Sequence, residues 1–354
     1  MTNEDKFAPQ VSVIIPVRNE VHFIERCLLS ILNQENVAGG FEIVVADGIS
    51  EDGTRELLNS LSQADSRIIL VDNPDRTTPH GMNAGIKQAR GEYIAIMGAH
   101  NHYAPDYLRS SVEVLKETAA DNVGGSMNCL GDSWLQQAIA LAHHSPFCVG
   151  GARWHDVAYE GPADTVFGGV YRRDVFERIG LFDETLVRNQ DDEFNLRLIR
   201  AGGKIWHSPR IKSWYRPRAS LSALFRQYMQ YGYWKVRVIQ KHRIPASLRH
   251  LVPGSFVFCL VVLPVIGLLY PVLLWIWLGL IGLYLCCNLA VSLVTAAQRG
   301  WRFLPILPVV FGCYHFGYGI GFCKGTIDFL ILRRSGSTSF SKLTRSSARP
   351  LRRI

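Results

Sequence analysis

Residues 251–298 hold no charged side chain in 48 consecutive positions, and the stretch is dense in Leu, Val, Ile, Trp and Phe. A bilayer asks about 20 apolar residues of each spanning helix, so the run fits two spans joined by a tight turn near residues 269–275. The competing reading is a helical hairpin buried in a soluble protein. Charge is distributed to match: residues 1–250 carry 28 Lys and Arg against 29 Asp and Glu, whereas residues 251–354 carry ten basic residues and the single acid Asp328. The net charge of +8 therefore belongs to the C-terminal part.

Arg299 and Arg302 follow the run, then come a third apolar stretch at 303–323 and a tail with seven basic residues and no acid from Arg333 onward. Basic flanks stay in the cytoplasm, which suits two spans that return the chain to Arg299 and Arg302. A third full span would carry the basic tail outside. Segment 303–331 is therefore expected to re-enter or to lie at the interface, unless the spans number three or four. The first residues lack a basic segment followed by an apolar core, so no signal peptide is expected. Five of the eight cysteines (Cys259, Cys286, Cys287, Cys313 and Cys323) sit in the apolar part, and Cys27, Cys129 and Cys148 show no CxxC spacing. That pattern is neither a disulfide framework nor a zinc site, and it suits a cytoplasmic domain.

In the first 250 residues short apolar runs alternate with helical patterns. VSVII is a strand, followed by PVRNE and then Phe23, Cys27, Leu28 and Ile31 at helical spacing. FEIVVA is a second strand, with a polar loop at 47–54 and a helix carrying Leu57, Leu58 and Leu61. Residues 67–71 are a third strand, 79–89 a third helix and 92–97 a fourth strand. Such alternation implies an α/β fold with a parallel sheet and right-handed crossovers. Ligands bind such sheets at the carboxyl ends of the strands, so the polar clusters at 16–20, 47–54 and 98–103 should line one cleft.

Each cluster has a plain structural use beside a chemical one. Asp47, at a strand end, can accept hydrogen bonds from a base or ribose, while Asp52 can cap the next helix. GAHNHY holds two histidines, His100 and His102, but no carboxylate. In NQDDEFNLRL, Phe194, Leu198 and Ala201 share a helix face; a helix dipole favours acids in the first turn, but three in a row exceed what that needs. One of them, left ionised beside a cleft, can act as a general base for a hydroxyl. GLFDE and FGG supply turns able to shape an acceptor pocket. Residues 220–243 mix Tyr228, Tyr231, Tyr233 and Trp234 with Arg226, Lys235, Arg237 and Lys241, an aromatic and basic helix that suits a membrane interface better than nucleic acid. No GxGxxG and no P-loop lysine is present, which excludes the common dinucleotide and P-loop sites.

Together the stretches SVIIPVRNE, VVADGISEDGT, NPDRTTPHGMNAGIKQARGEYI, AHNHYAPDYL, FGGVYRRDVFERIGLFDE, NQDDEFNLRLIRAGGKIW and WYRPRASLSALFRQYMQYGYWK resemble the inverting glycosyltransferases of family 2. The likeness is greatest to the bacterial membrane glucosyltransferases of the succinoglycan type, which extend lipid-linked exopolysaccharide repeats. It runs over residues 10–240 in the family's order. Each stretch is weak alone, and the set is specific.

The resemblance implies a GT-A nucleotide-sugar-binding domain with a mostly parallel central sheet at 1–219, an amphipathic interfacial linker at 220–250, a membrane-embedded region at 251–331 and a basic cytoplasmic tail at 332–354. It further implies that Pro16, Val17, Asn19 and Glu20 form the nucleotide-binding strand end, that Asp47 reaches the base, and that Arg90, before Gly91, approaches the diphosphate. Gly168 and Gly169 would shape the acceptor pocket. Asp191 matches the general base, with Asp192 beside it on the substrate and Gln190 where the family usually has Glu. The reaction is then an in-line displacement at the anomeric carbon, with inversion and a nucleoside diphosphate as leaving group.

One motif departs from the pattern. Where the family has Asp-x-Asp, or Asp-Ala-His in this subgroup, the chain has Gly98-Ala99-His100. A divalent cation (Mn or Mg) there neutralises charge developing on the leaving group. His100 is the remaining candidate ligand, and one imidazole is a weaker site for a hard cation than a carboxylate. Gly98 is thus expected to loosen nucleotide and metal binding rather than base chemistry. The Gln-x-x-Arg-Trp signature of processive synthases is replaced by QYMQYG at Gln227, which implies transfer of a single sugar. The expectation is transfer of one hexose from a nucleotide sugar, UDP-glucose, to a polyprenyl-diphosphate-linked saccharide. The enzyme would be a multi-pass protein of the bacterial inner membrane, in contact with its lipid, with a cytoplasmic catalytic domain and no nucleic acid partner. Two alternatives stand beside it: an impaired nucleotide-binding family member serving as an assembly subunit, favoured by Gly98 and opposed by Asp191, and an enzyme glycosylating a polyprenyl monophosphate.

Overall fold

A computed structural model describes residues 8–125, 127–336 and 340. Most of the basic tail expected at 332–354 lies outside them. The chain divides into two compact units: the described residues up to Asn128 with Arg153–Tyr215, and Cys129–Ala152 with the described residues from Arg216 onward.

The first unit opens with β1 (Val11–Val17), α1 (Ile24–Leu32), β2 (Phe41–Asp47), α2 (Thr54–Ala64), β3 (Ile68–Asp72), α3 (Thr78–Gln88), β4 (Tyr93–Ile96), β5 (His102–Tyr103), α4 (Tyr107–Thr118), β6 (Asn122–Gly125) and β7 (Met127–Cys129). Two short helices of the second unit, α5 (Trp134–His143) and α6 (Pro146–Val149), interrupt it in sequence. It resumes with β8 (Gly161–Pro162), β9 (Phe167–Arg172), α7 (Asp174–Ile179), α8 (Gln190–Arg200), β10 (Ile205–His207) and β11 (Ser213–Tyr215).

Among the described residues the main sheet has eight strands in the order β3-β2-β1-β4-β9-β6-β10-β8. The pairs from β3 through to β4 are parallel, and so is β6 with β10; β9 runs antiparallel between β4 and β6. Both sheet faces are covered, as continuous apolar strands require. Alternate residues of β1 therefore feed different cores: Val11, Val13, Ile15 and Val17 pack with Ile24, Leu28 and Leu115, while Ile14 packs with Met82, Ile86, Phe194 and Leu198. Helices α1 and α4 thus share one face, and α3 and α8 the other. This is the GT-A-like α/β architecture with a mostly parallel sheet.

The chain order reverses between β1, whose crossover leads to β2 on one side, and β4, which pairs on the other. Loops diverge at such a switch point and leave a crevice at the strands' carboxyl ends. The loops after β1 and β4 flank it.

The second unit is helical, with α9 (Leu221–His242), α10 (Val252–Gly267), α11 (Val272–Arg299) and α12 (Leu307–Gly325) joining α5 and α6. Two of its helices, Leu248–Gly267 and Val272–Arg299, are long and apolar enough to cross a membrane. Their most apolar windows are only 17 % and 6 % buried, which separates them from the core helices of a soluble protein. The turn between α10 and α11 falls at 268–271, at the start of the expected interval.

The third apolar stretch behaves differently. Helix α12 lies along α9, and Leu307, Val310, Phe311 and Tyr314 form a core with Leu224, Ala138 and Ile139. Glycines make the approach possible: a Cβ on Gly321 would stand 2.0 Å from the Met229 carbonyl oxygen, and one on Gly232 2.0 Å from that of Tyr318. Some aromatic residues expected on an interfacial face also turn inward, with Tyr228 4.2 Å from the Tyr314 ring and Tyr233 bonded through its hydroxyl to Asp328 at 3.0 Å.

Candidate active site

The loops after β1 and β2 are stitched together by polar residues of the expected nucleotide motifs. Asn19 adopts a left-handed conformation, φ 55°, that an asparagine tolerates. Its backbone N–H donates to Ser50 Oγ at 2.9 Å, and its side-chain Oδ1 accepts from Glu51 N at 2.9 Å. Glu20 N donates to Thr54 Oγ1 at 2.9 Å, and Gly48 N to the Val17 carbonyl at 2.8 Å. Asp47, 2 % exposed, accepts from Ser50 Oγ at 2.6 Å and pairs with Arg55 at 3.4 Å. Asp52 serves the loop, accepting from Thr54 Oγ1 at 2.5 Å and Val21 N at 3.3 Å. Burial opposes its ionisation, and the hydrogen bonds from Thr54 and Val21 outweigh that, holding the carboxyl below its usual range. Pro16 abuts α3, where a Cβ on Gly81 would meet its Cβ at 3.0 Å.

Across the switch point, β4 is followed by Met97, Gly98, Ala99 and His100. Cys27 lies beneath, its Sγ 3.4 Å from the Gly98 carbonyl, and burial pushes its thiol up to about 12, which makes it an inert core group. The space a residue-98 side chain would take is filled by Asn101: a Cβ on Gly98 would meet Asn101 Nδ2 at 2.7 Å. Asn101 is 7 % exposed; Nδ2 donates to Tyr103 Oη at 3.2 Å, and Oδ1 is buried with no partner among the described residues.

His100 Nδ1 lies 3.4 Å from Glu20 Oε1, a contact that bridges the two sides of the crevice. The Tyr215 ring stands 6.0 Å from the His100 ring. A metal-ligating imidazole commonly gives its second nitrogen to a carboxylate, and Glu20 occupies that place. Among the described residues no three His, Cys, Asp or Glu side chains are grouped to hold a metal. What this turn would offer a cation is the single imidazole of His100, with Glu20 beside its Nδ1, and any further ligands would have to come from a bound substrate. His102 is not part of this set. It pairs with Trp214 in a small sheet of β5, β11 and β7, exposed, with the rings 5.6 Å apart.

Topology brings the acceptor-side residues to the same edge. Since β9 pairs antiparallel with β4, Ala95 opposite Val170, the beginning of β9, with Gly168 and Gly169, lies toward the carboxyl end of β4. Gly168, at φ 61°, has the Tyr107 hydroxyl donating to its carbonyl and leaves no room for a Cβ, which would lie 2.6 Å from that oxygen. Tyr107 stacks edge-on with Tyr103 at 5.0 Å, and Tyr103 Oη accepts from Gly98 N at 2.8 Å. Two buried phenols thus join Gly98 to Gly168, and burial raises both well above the usual tyrosine range, so they stay protonated as donors. Gly169 lies against Asn122, 2.7 Å from a Cβ built there.

Helix α8 runs back to the start of β10, which parallels β6, so its first turn sits at the carboxyl edge of the sheet. That turn holds Asp191, exposed, Asp192, partly buried, and Glu193, fully buried against Arg197 at 3.0 Å. Of the three acids, Glu193 is structural. Asn195 anchors the helix from beneath through Asn122 at 3.0 Å and Thr165 at 2.8 Å.

Arg90 is a correction. It pairs with Glu42 at 2.7 Å, alongside Ser12 Oγ, which donates to Glu42 at 2.6 Å. Glu42 and Ser12 begin β2 and β1, so Arg90 lies at the amino edge of the sheet, opposite the crevice. The reason is topological: a residue that precedes a parallel strand cannot reach that strand's carboxyl end. The sequence reading also missed four buried polar groups: Asn101 and Tyr103, which bond within their own turn, and Tyr107 and Asn195, whose partners lie on other elements. A polar residue at a core position is the signal that could have found them.

Residues 12–180 match the model of glycosyl transferase family 2. The succinoglycan biosynthesis protein ExoA of Rhizobium meliloti is 30 % identical over 332 residues, covering 93 % of this chain and 98 % of that protein. A dolichyl N-acetyl-alpha-D-glucosaminyl phosphate 3-beta-D-2,3-diacetamido-2,3-dideoxy-beta-D-glucuronosyltransferase of Methanococcus voltae is 30 % identical over 330 residues, 90 % of this chain and 99 % of that one. Among solved structures, the mannosyltransferase PcManGT from Pyrobaculum calidifontis, in complex with GDP-Man and Mn2+, shares the fold with a TM-score of 0.56 over 88 % of each chain at 18 % identity. The chain belongs to the glycosyltransferases of family 2 and is an enzyme of glycan biosynthesis.

Proposed function

We propose that the enzyme transfers one hexose, from UDP-glucose, to a saccharide carried on a polyprenyl diphosphate, with inversion at the anomeric carbon. The observation that carries the reading is the gathering of the stitched β1 and β2 loops, the Gly98–His100 turn and the first turn of α8 at one edge of the sheet. The nucleotide binds the loops after β1 and β2, which their hydrogen bonds preorganise. Asp191, exposed at the helix start, takes the proton of the acceptor hydroxyl. The new bond forms from that oxygen to the anomeric carbon as the bond to the diphosphate oxygen breaks, and the nucleoside diphosphate leaves with the electron pair. A divalent cation, when bound, supplies neutralisation of charge on that leaving group. His100, oriented by Glu20, would hold it.

The mannosyltransferase complex with Mn2+ supports a cation requirement, and the dolichyl-linked substrate named for the Methanococcus relative supports a lipid-linked acceptor. Two apolar helices support attachment to the membrane in which such an acceptor resides. Sugar transfer by the purified chain, with and without manganese, tests the reading. A positioned base is worth about 10²–10⁴-fold, so Asp191→Asn should lower transfer by that factor while nucleotide binding is kept. Full activity of Asp191→Asn would remove Asp191 from the role.

A further inference from the structure

The segment from Gly180 to Asn189 leads directly into α8 and so carries Asp191. It is held from two sides. Asn83, on α3 and 2 % exposed, donates Nδ2 to the Phe182 carbonyl at 2.9 Å and to Glu184 Oε1 at 2.8 Å, while its Oδ1 accepts from Phe182 N at 3.0 Å. From α8, Arg197 donates to the carbonyl of Ile179 and to that of Leu181 at 2.8 Å, its charge paired with buried Glu193. His80, a turn before Asn83, adds a contact to Glu184 Oε2 at 3.4 Å.

The platform under Asn83 has little freedom to move. A Cβ on Gly85 would stand 2.4 Å from Ile14 Cγ2, and one on Gly81 3.0 Å from Pro16 Cβ, so the backbone of α3 lies flush on β1. The end of β1 in turn carries Asn19 and Glu20. The neighbours of Asn83 along the helix, Met82 and Ile86, belong to the apolar core that also holds Phe182 and Phe194, and burying an amide beside such a core is costly unless it is hydrogen-bonded. The buried amide has one use on this face, to fix the loop.

We propose that Asn83 and Arg197 are positioning residues for the transfer step: they tie the base-bearing turn of α8 to the strand that binds the donor, so that Asp191 and the anomeric carbon keep one separation. The proposal rests on the reading of Asp191 as the base.

The test uses the full-length chain in detergent or nanodiscs, with nucleotide affinity, donor KM, kcat for transfer and thermal unfolding measured on each variant. A misplacement of the order of 1 Å costs about 10²-fold in rate, so Asn83→Asp should lower kcat by that order, with donor KM and UDP affinity unchanged. Asn83→Asp combined with Glu184→Gln returns a donor to the pair and should recover part of the loss, a coupling that a general loss of stability would not give. Glu184→Ala, at a side chain 43 % exposed, removes one acceptor without burying a charge and should lower kcat less, again at constant KM. Wild-type kcat in Asn83→Asp or Glu184→Ala overturns the proposal. So does a loss of UDP binding and unfolding temperature in proportion to kcat, or a double variant no better than Asn83→Asp. Asp191→Asn run in parallel separates the two readings: if it transfers at the wild-type rate the base assignment fails, and if it is inactive while Asn83→Asp is normal the clamp alone fails.

Discussion

Gly98 and Asn101 have to be considered as one unit. The absent carboxylate at position 98 is not an open space, because the Asn101 amide stands where a side chain would begin. Gly98→Asp must displace that amide and break its 3.2 Å bond to Tyr103, at a cost of about 1 kcal/mol. Gly98→Asp with Asn101→Ala avoids the collision. Freed of that collision, the double variant should be more stable than Gly98→Asp alone by about 1 kcal/mol. Thermal unfolding of both proteins checks this, and equal midpoints would show that Asn101 yields freely. The metal motif shows what a sequence can and cannot disclose at this scale. That Gly98-Ala99-His100 follows a strand is readable from the local pattern alone, and so are the turn chemistry of Asn19 and Asp52. That Asn101 fills the place of the absent side chain depends on how its own turn folds back on Gly98, and that Glu20 meets His100 depends on two loops 80 residues apart closing over one crevice. Arg90 failed for the same reason in reverse: its neighbour Gly91 makes a turn, but which edge of the sheet the turn lies on follows from strand direction.

Elements followed their periodicity wherever a strand or helix buried one obvious face. The first four strands and their helices could be read because β1 and β2 are dominated by Val, Ile and other apolar residues and the helix between them is amphipathic. Helix α12 could not, since its glycines look like dilution of an apolar span until α9 is set beside it. Gly317, Gly321 and Gly325 recur every fourth residue and face the carbonyls of Phe225, Met229 and Tyr233. A methyl at Gly321 would push the two helices apart, and overpacking of this kind costs about 1–3 kcal/mol. Gly312, on the same helix, has only the Phe316 ring near a built Cβ, at 3.9 Å, so alanine there gains helix propensity of about 1 kcal/mol with no collision. Thermal unfolding in detergent should lower the midpoint of Gly321→Ala and raise that of Gly312→Ala. If both variants shift the same way, the close approach of α9 and α12 is not what stabilises this unit.

For the molecule as a whole the charge pattern and the helix lengths make a joint statement about the membrane. The 20 residues of Leu248–Gly267 rise about 30 Å and the 28 of Val272–Arg299 about 42 Å, against a hydrocarbon core of about 30 Å. The first fits without slack, and the second must tilt or extend past the core. Basic residues mark the outer ends of the pair, Arg243 before it and Arg249 in its first turn, Arg299 at its last residue and Arg302 after it, while the turn at 268–271 is uncharged with Leu268, Leu269 and Tyr270 exposed. Both basic ends on the cytoplasmic side is the arrangement the charge bias favours. Thiol labelling tests it well, because the thiolate is the reacting form. Burial pushes the thiols of Cys27 and Cys129 up to about 12 and raises that of Cys148 well above its usual range, so all three stay silent near neutral pH. With Cys259, Cys286, Cys287, Cys313 and Cys323 replaced by alanine, Leu269→Cys should react with a membrane-impermeant maleimide in intact spheroplasts, and Trp301→Cys only after permeabilisation. Protection of Leu269→Cys until permeabilisation would mean that the hairpin does not cross. Labelling of Trp301→Cys from outside would mean an odd number of crossings before Arg302, and would put the catalytic unit and the basic loop on opposite faces of the membrane.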